Sequence, residues 1–210
     1  MIRIIIADDH PLVRFGMTKI VSKDPDIVVV GEAQNSHEVM ELVRTRRVDV
    51  VVLDISMPGK NGLEILEQLK HEYPKIPVLI LSTHSEEQYA VMAFKTGAAG
   101  YLTKRSALDE LIKAIRKVAS GGRYASSAFD EYLLFGLEKG MDKPPHETLT
   151  NREFQIMHLI ASGKKPKAIA EELCLSVKTI NTYRGRLLQK IQVKSNAELT
   201  RYALENKLLE

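Results

Sequence analysis

The feature that most constrains the fold of this chain is a pair of apolar segments, each followed directly by acidic residues. Residues 50–53 form an uninterrupted valine and leucine run before Asp54, and residues 4–7 form a similar run before Asp8 and Asp9. An apolar run without polar alternation is typical of a strand buried on both faces of a parallel sheet. The acids would then lie at the carboxyl edge of that sheet, where open α/β folds have their binding crevice.

Acidic residues that follow strands have two interpretations. A single aspartate at a strand end is most often a turn former. Three carboxylates at two neighbouring strand ends, Asp8, Asp9 and Asp54, would repel one another unless a cation lay between them. The pattern therefore favours a cation-binding site at this edge of the sheet.

The first 120 residues alternate strand-like and helix-like patterns. The predicted strands are 3–7, 27–31, 50–54, 77–81 and 101–104, and the predicted helices are 11–23, 36–46, 61–72, 85–95 and 106–120. This alternation requires right-handed crossovers and a parallel sheet with helices on both faces. The predicted fold class is α/β, a doubly wound five-stranded parallel sheet of order 2-1-3-4-5, in which the acids converge on the crevice between strands one and three.

The rest of the chain has no strand-like pattern. Glycines and prolines interrupt residues 122–147, where only 128–137 has the pattern of a short helix. Four helices follow, with capping residues at Thr150, Ser176 and Ser195, and the short turn before Ser176 fits a helix-turn-helix. We predict a first domain at 1–121, a linker at 122–147 and a small all-α domain at 148–210.

Composition narrows the class of protein. With 210 residues, of which 44% are hydrophobic and 27% charged, the chain can bury a core without disulfides, and its one cysteine, Cys174, gives no basis for a zinc site. Residues 147–210 contain 11 Lys and Arg against 7 Glu, a net charge of +4, whereas residues 1–146 contain 19 basic against 20 acidic residues. This asymmetry favours nucleic-acid binding by the second domain. No apolar run approaches the roughly 20 residues that span a bilayer, so we expect a cytoplasmic protein without a membrane partner.

The motifs at these positions resemble those of a known family. In the first domain, similarity to the receiver domain of bacterial two-component response regulators rests on Asp8-Asp9, Asp54, Met57-Pro58-Gly59, Ser82, Tyr101 and Lys104. In the second domain, similarity to the LuxR-type helix-turn-helix rests on Leu149-Thr150-x-Arg152-Glu153, Ile169-Ala170-x-x-Leu173-x-Leu175-Ser176 and Thr179-Ile180. The whole chain therefore resembles the NarL/FixJ class of response regulators.

This resemblance implies roles for the acidic residues. Asp54 would accept a phosphoryl group from a phosphohistidine of a sensor histidine kinase, a transfer that depends mostly on positioning and charge neutralisation. Asp8, Asp9, Asp54 and the backbone carbonyl of Ser56 would hold Mg²⁺, which prefers oxygen ligands. Lys104 would contact a phosphoryl oxygen as a point charge.

The resemblance also implies a switch next to the acids. Ser82, with Thr83 as the neighbouring candidate, would bond the phosphoryl group through its hydroxyl. Tyr101 would be the aromatic switch that turns inward in response, unless it is an ordinary half-buried tyrosine. Phosphorylation adds roughly −1.5 to −2 charges, and we expect it to shift the segment 85–120 between two states.

The second domain would bind double-stranded promoter DNA through the helix predicted at 177–191. The candidate contacts on this helix are Lys178, Thr179, Asn181, Thr182, Arg184 and Arg186. The family commonly has lysine and histidine at positions 181 and 183, where this chain has Asn181 and Tyr183, so the preferred DNA sequence is left open. Dimerisation would use the final helix, with candidate contacts at Ala197, Leu199, Thr200 and Ala203.

The predicted function is a phosphorylation-controlled transcription regulator rather than an enzyme. Its expected partners are a sensor histidine kinase, promoter DNA, a second copy of the chain on phosphorylation, and RNA polymerase. One alternative is a constitutive DNA-binding protein whose first domain is only a dimerisation scaffold. The other is an aspartyl-phosphate hydrolase with Asp54 as nucleophile, for which no histidine or glutamate obviously supplies the acid-base partner.

Overall fold

The chain divides into two compact units, Met1–Asp130 and Glu131–Glu210. The computed structural model describes residues 1–55, 57, 62–83, 86–125, 144–206 and 208–209. Within those ranges, no helix has the length and apolar character that crossing a bilayer requires.

The first unit is a five-stranded parallel sheet with the order β2-β1-β3-β4-β5. Its strands are β1 (Ile2–Ala7), β2 (Ile27–Ala33), β3 (Val50–Asp54), β4 (Val78–Ser82) and β5 (Gly100–Thr103). They alternate with the helices α1 (Pro11–Val21), α2 (Ser36–Thr45), α3 (Gly62–Glu72), α4 (Glu86–Thr96) and α5 (Ala107–Ala119). The predicted fold class and strand order are confirmed.

The register of β1 against β3 places Asp8 next to Asp54. Every residue of β3 and β4 is buried, as expected for strands that have helices on both faces. In the pairing of β1 with β3, Ala7 lies opposite Leu53. The residues that follow, Asp8 and Asp54, therefore leave the sheet next to each other at its carboxyl edge.

The first unit extends past the predicted end of the first domain at residue 121. The backbone of Tyr124 accepts a hydrogen bond from Tyr101 N at 2.9 Å and donates one to Ala99 O at 3.0 Å, which covers part of the β5 edge. Most of the predicted linker, including the short helix at 128–137, lies outside the described residues. Ser85, the first residue of the helix predicted at 85–95, also lies outside them. The limits of that linker stay a prediction.

The second unit consists of helices whose predicted capping residues are confirmed. After a 3₁₀ turn (Pro145–Thr148) come α6 (Asn151–Ala161), α7 (Pro166–Glu172), α8 (Val177–Ile191) and α9 (Asn196–Glu205). Thr150 and Glu153 form a reciprocal capping box at α6. The side chains of Ser176 and Ser195 accept from backbone N–H groups three residues later, at the starts of α8 and α9.

An ion pair inside the second unit holds α8 against α6. Glu153 is 4% exposed, and Lys190 Nζ lies 2.6 Å from its Oε2. Burial by itself raises the pKa of Glu153, but hydrogen bonds from Lys190 and Thr150 lower it, and the net shift is downward. The pair therefore stabilises the unit at pH values above the ordinary carboxyl pKa. This contribution is lost as the pH falls through the lowered pKa that Glu153 has in the folded state.

We expect the Gly62→Ala variant to lose stability, because the first turn of α3 packs directly on the end of β3. An added Cβ would lie 2.2 Å from the carbonyl oxygen of Asp54 and 2.6 Å from the Cα of Ile55, and backbone atoms cannot move aside. The expected loss is about 1–3 kcal/mol in the free energy of unfolding, measured by urea denaturation followed by circular dichroism.

The matched control for this variant is Gly16→Ala in α1. A Cβ at Gly16 would meet no atom within 4 Å, so the higher helix propensity of alanine should add about 0.5–1 kcal/mol. Equal stability of the two variants would show that α3 does not approach β3 as closely as the structure has it.

Candidate functional site

The carboxyl edge of the sheet brings the three predicted carboxylates together. Ligand atoms of Asp8, Asp9, His10 and Asp54 all lie within 4.8 Å of one another. Asp8 and Asp54 are completely buried, whereas the side chain of Asp9 is 27% exposed. Ser56, whose backbone carbonyl was predicted as a further ligand, lies outside the described residues.

Lys104 is the cation that compensates the buried acids. Its Nζ lies 3.0 Å from Asp54 Oδ2 and 2.6 Å from Asp8 Oδ2, and its backbone N–H donates to Ser82 O at 2.7 Å. Burial by itself lowers the pKa of Lys104, whereas the charge of Asp54 and the hydrogen bonds to Asp8 and Asp54 raise it, and the net shift is upward. The ammonium group therefore stays charged and bridges the two buried carboxylates.

Among the described residues, the charges of this crevice do not cancel. The three carboxylates lie close to one ammonium group, that of Lys104, so these described groups together are negative. Asp9 Oδ1 is sealed from solvent and, among the residues that the structure describes, accepts no hydrogen bond. Carboxylate oxygens of this kind are the ligands that hard divalent cations take in proteins. The acidic cluster therefore fits a bound metal ion.

Two residues that sequence reasoning missed support the turn that carries the acids. Arg14 Nη1 donates to the backbone carbonyl of Asp8 at 2.6 Å, while its Nε lies 3.4 Å from Glu32 on β2. His10 places Nδ1 at 2.8 Å from Asp9 Oδ1. The signal available in the sequence was spacing, because His10 directly follows the acid pair and Arg14 comes one helical turn later.

The predicted switch residues lie at the same edge of the sheet. In the β3–β4 register Asp54 pairs with Leu81, so Ser82 is the next residue along the neighbouring strand. Ser82 is completely buried, whereas Thr83 is exposed, which favours Ser82 as the hydroxyl that faces the crevice. Tyr101 is also completely buried rather than half-buried, so the ring occupies an inward position in this structure.

A second candidate surface lies on α8, the second helix of the helix-turn-helix. Its inner side consists of the buried residues Ile180, Leu187 and Ile191. Its outer side presents exposed residues at helical spacing, namely Lys178, Asn181, Thr182, Gly185, Arg186 and Gln189. Sequence reasoning missed Gln189, which the same spacing could have identified. A Cβ at Gly185 would meet no atom within 4 Å, so this outer side is open in its middle.

The structure separates two of the predicted DNA contacts from the others. The hydroxyl of Thr179 lies 2.8 Å from that of Ser176. The backbone N–H of Thr179 donates to the Ser176 side chain, which caps the helix. Arg184 Nε donates to Asn196 Oδ1 of α9 at 2.6 Å. Both side chains are half-buried, so they flank the open face of α8 and have partners within their own unit.

The predicted dimer contacts on the final helix need correction. Leu199 and Ala203 are completely buried, because they fill the core where α9 packs against α6. They are unavailable to a partner, and that part of the prediction is wrong. Ala197 is exposed and Thr200 half-buried, and Leu204 adds a large apolar side chain that is 57% exposed.

Comparison with known proteins accounts for both units. The family model described as the response regulator receiver domain matches residues 4–116, and that described as bacterial regulatory proteins of the luxR family matches residues 147–203. The response regulator GacA of Pseudomonas protegens is 37% identical over 210 residues, which cover 100% of this chain and 99% of GacA. The response regulator UvrY of Escherichia coli K12 is 39% identical over 209 residues, which cover 99% of this chain and 96% of UvrY.

The similarity to solved structures also extends over nearly the whole chain. The RcsB response regulator of Salmonella typhimurium is 26% identical, with a TM-score of 0.71 over 98% of each chain. The relatives and both family models describe regulators rather than enzymes, which confirms that expectation. Because the two family models and the full-length relatives agree, this chain belongs to the two-component response regulators of the NarL/FixJ class, transcription regulators that join a receiver domain to a LuxR-type DNA-binding domain.

Proposed function

We propose that phosphorylation of Asp54 controls promoter binding by α8. The observation that carries this proposal is the bridge from Lys104 to Asp54 and Asp8, since it connects the predicted acceptor to β5 and thereby to the segment that leads into α5. We further propose that a linker within the predicted range 122–147 joins the two domains, with Tyr124 belonging to the first, and that the protein acts in the cytoplasm.

In the proposed transfer, a carboxylate oxygen of Asp54 attacks the phosphorus of a phosphohistidine on a sensor histidine kinase. The new phosphorus–oxygen bond replaces the phosphorus–nitrogen bond, and the histidine leaves with the electron pair of that bond. Asp8, Asp9, Asp54 and the Ser56 carbonyl would hold Mg²⁺, which neutralises charge on the transferring group. Lys104 supplies a second positive charge beside the acceptor.

The phosphoryl group would change the pairing of the groups around Asp54. It adds roughly −1.5 to −2 charges and three acceptor oxygens. Lys104, which is now shared between Asp8 and Asp54, would turn to a phosphoryl oxygen, and the Ser82 hydroxyl would donate to another. These contacts would favour the inward ring position of Tyr101, which this structure already has, and with it the second state of the segment 85–120.

The open face of α8 supports DNA binding as the output. Lys178 and Arg186 would contact phosphates, while Asn181 and Thr182 would face base edges in the major groove. Gly185 leaves room for the close approach of a nucleic acid. The RcsB response regulator, to which this chain is similar, has been solved as a complex with DNA. Dimers formed on phosphorylation would occupy paired half-sites, and RNA polymerase would be a further partner.

We expect the Asp54→Asn variant to incorporate no phosphate, because its amide cannot act as the nucleophile. The measurement is radiolabel retained by the full-length protein after incubation with labelled acetyl phosphate and Mg²⁺. The control is Asp109→Asn, which changes an exposed carboxylate in the first turn of α5 and should label like the wild type. Wild-type labelling of Asp54→Asn would refute the assignment, and steady release of phosphate by the wild type would favour the hydrolase alternative.

We expect the Lys104→Gln variant to bind Mg²⁺ roughly tenfold more tightly than the wild type, because the ammonium group pairs with two of the carboxylates that would hold the cation and repels it. Isothermal titration calorimetry with MgCl₂ measures this difference. Lys113→Gln removes the same charge from the exposed side of α5 and should leave the affinity unchanged. Weaker Mg²⁺ binding by Lys104→Gln would show that the lysine and the cation do not compete.

We expect the Arg186→Ala variant to bind mixed-sequence duplex DNA more weakly and with a shallower salt dependence. Loss of one phosphate contact should reduce the slope of log K against log salt by about 0.9. Fluorescence anisotropy between low and physiological salt measures this slope. Lys23→Ala removes a charge from the exposed surface of the first unit and should change neither value, so equal effects of both variants would argue against a specific role of α8.

A further inference from the structure

One histidine lies at the rim of the acidic crevice, and the proposed phosphoryl transfer does not use it. His10 is 63% exposed, yet its Nδ1 points inward, 2.8 Å from Asp9 Oδ1 and 3.4 Å from Asp8 Oδ1. It belongs to the set of ligand atoms that lie within 4.8 Å of one another. The exposed part of the ring is therefore its far side, and a nitrogen faces the carboxylates.

Helix capping does not account for this position of the ring. His10 is the residue before the first turn of α1, but its side chain makes no capping hydrogen bond. Its backbone N–H, rather than the ring, donates to Asp8 Oδ1 at 2.8 Å. The ring instead lies at ion-pair distance from Asp9, with Nδ1 2.8 Å from Asp9 Oδ1.

The distance is the one that two neighbouring ligands of a metal ion adopt. Nitrogen and oxygen ligands lie about 2.0–2.2 Å from a divalent transition ion, so two ligands at a right angle are about 2.8–3.1 Å apart. The separation of 2.8 Å between His10 Nδ1 and Asp9 Oδ1 falls in this range. The spacing of this ion pair is thus also that of two ligands around a cation, and Asp9 Oδ1 itself is sealed from solvent.

We propose that His10 supplies a nitrogen ligand to the cation site and shifts its preference from Mg²⁺ toward first-row transition ions such as Co²⁺. Mg²⁺ takes oxygen ligands and retains several waters, so an imidazole adds little to its affinity. Transition ions gain strongly from imidazole nitrogen. This inference rests on the proposed cation site at Asp8, Asp9 and Asp54, which it extends to a fourth side chain.

The side chain can be changed without damage to the fold. His10 contributes only its backbone to the start of α1, where its carbonyl accepts from Val13 and Arg14. Alanine removes the ring, whereas glutamine keeps an oxygen that a hard cation can use. Two variants, His10→Ala and His10→Gln, therefore separate the loss of nitrogen from the loss of any ligand at this position.

The test is calorimetric titration of the full-length protein with MgCl₂ and with CoCl₂. We expect both His10 variants to bind Co²⁺ at least about tenfold more weakly, a loss that removal of even an outer partner of a metal ligand can cause. Their Mg²⁺ affinity should equal that of the wild type. The visible absorption of bound Co²⁺ should also change, because it reports the replacement of nitrogen by oxygen.

Two further variants identify the site that the titration measures. His71→Ala removes an exposed histidine from α3 and should leave the affinity for both cations unchanged. Asp9→Asn should lower the affinity for both cations, which would show that the titration measures binding at the crevice. If the His10 variants lose no Co²⁺ affinity, or lose Mg²⁺ equally, the inference is overturned while the proposed site stands. If the wild type binds neither cation, the proposed site itself fails.

Discussion

The first unit depends on one lysine that compensates two buried carboxylates. Asp8 and Asp54 are completely buried, and Lys104 Nζ lies within 3.0 Å of both. Removal of one partner from such a buried group typically costs about 3–5 kcal/mol, because a charge is then left unpaired in a medium of low dielectric constant. Lys104, which directly follows β5, therefore offsets much of the repulsion between these two buried acids.

The same arrangement makes the site responsive to added charge. In the proposed transfer, a phosphoryl group on Asp54 would compete with Asp8 for the ammonium group that the two carboxylates now share. Its backbone N–H is bonded to Ser82 O, so a change at Asp54 is connected to the ends of β4 and β5. A buried and closely packed edge of this kind has discrete arrangements rather than continuous ones.

The fold was predictable because its central strands contain long apolar runs. The runs that end in Asp8 and Asp54 specify buried parallel strands, and the serine and threonine caps specify where α6, α8 and α9 begin. Sequence periodicity was less able to assign the two sides of α9. Leu199 and Ala203 have the spacing of an amphipathic face, but the pattern does not say whether that face meets α6 or a second chain.

The sequence by itself determined which residue types meet at the crevice, since an alternating chain of this size commonly forms a sheet of order 2-1-3-4-5. Only the tertiary structure decided how their charges pair. Lys104 and Asp54 are 50 residues apart, and the bridge from this lysine to Asp8 as well depends on the β1–β3 register. The inward nitrogen of His10, the support from Arg14 and the engagement of Arg184 by Asn196 likewise depend on side-chain directions. Those directions are set by packing between segments far apart in the chain, which local pattern does not encode.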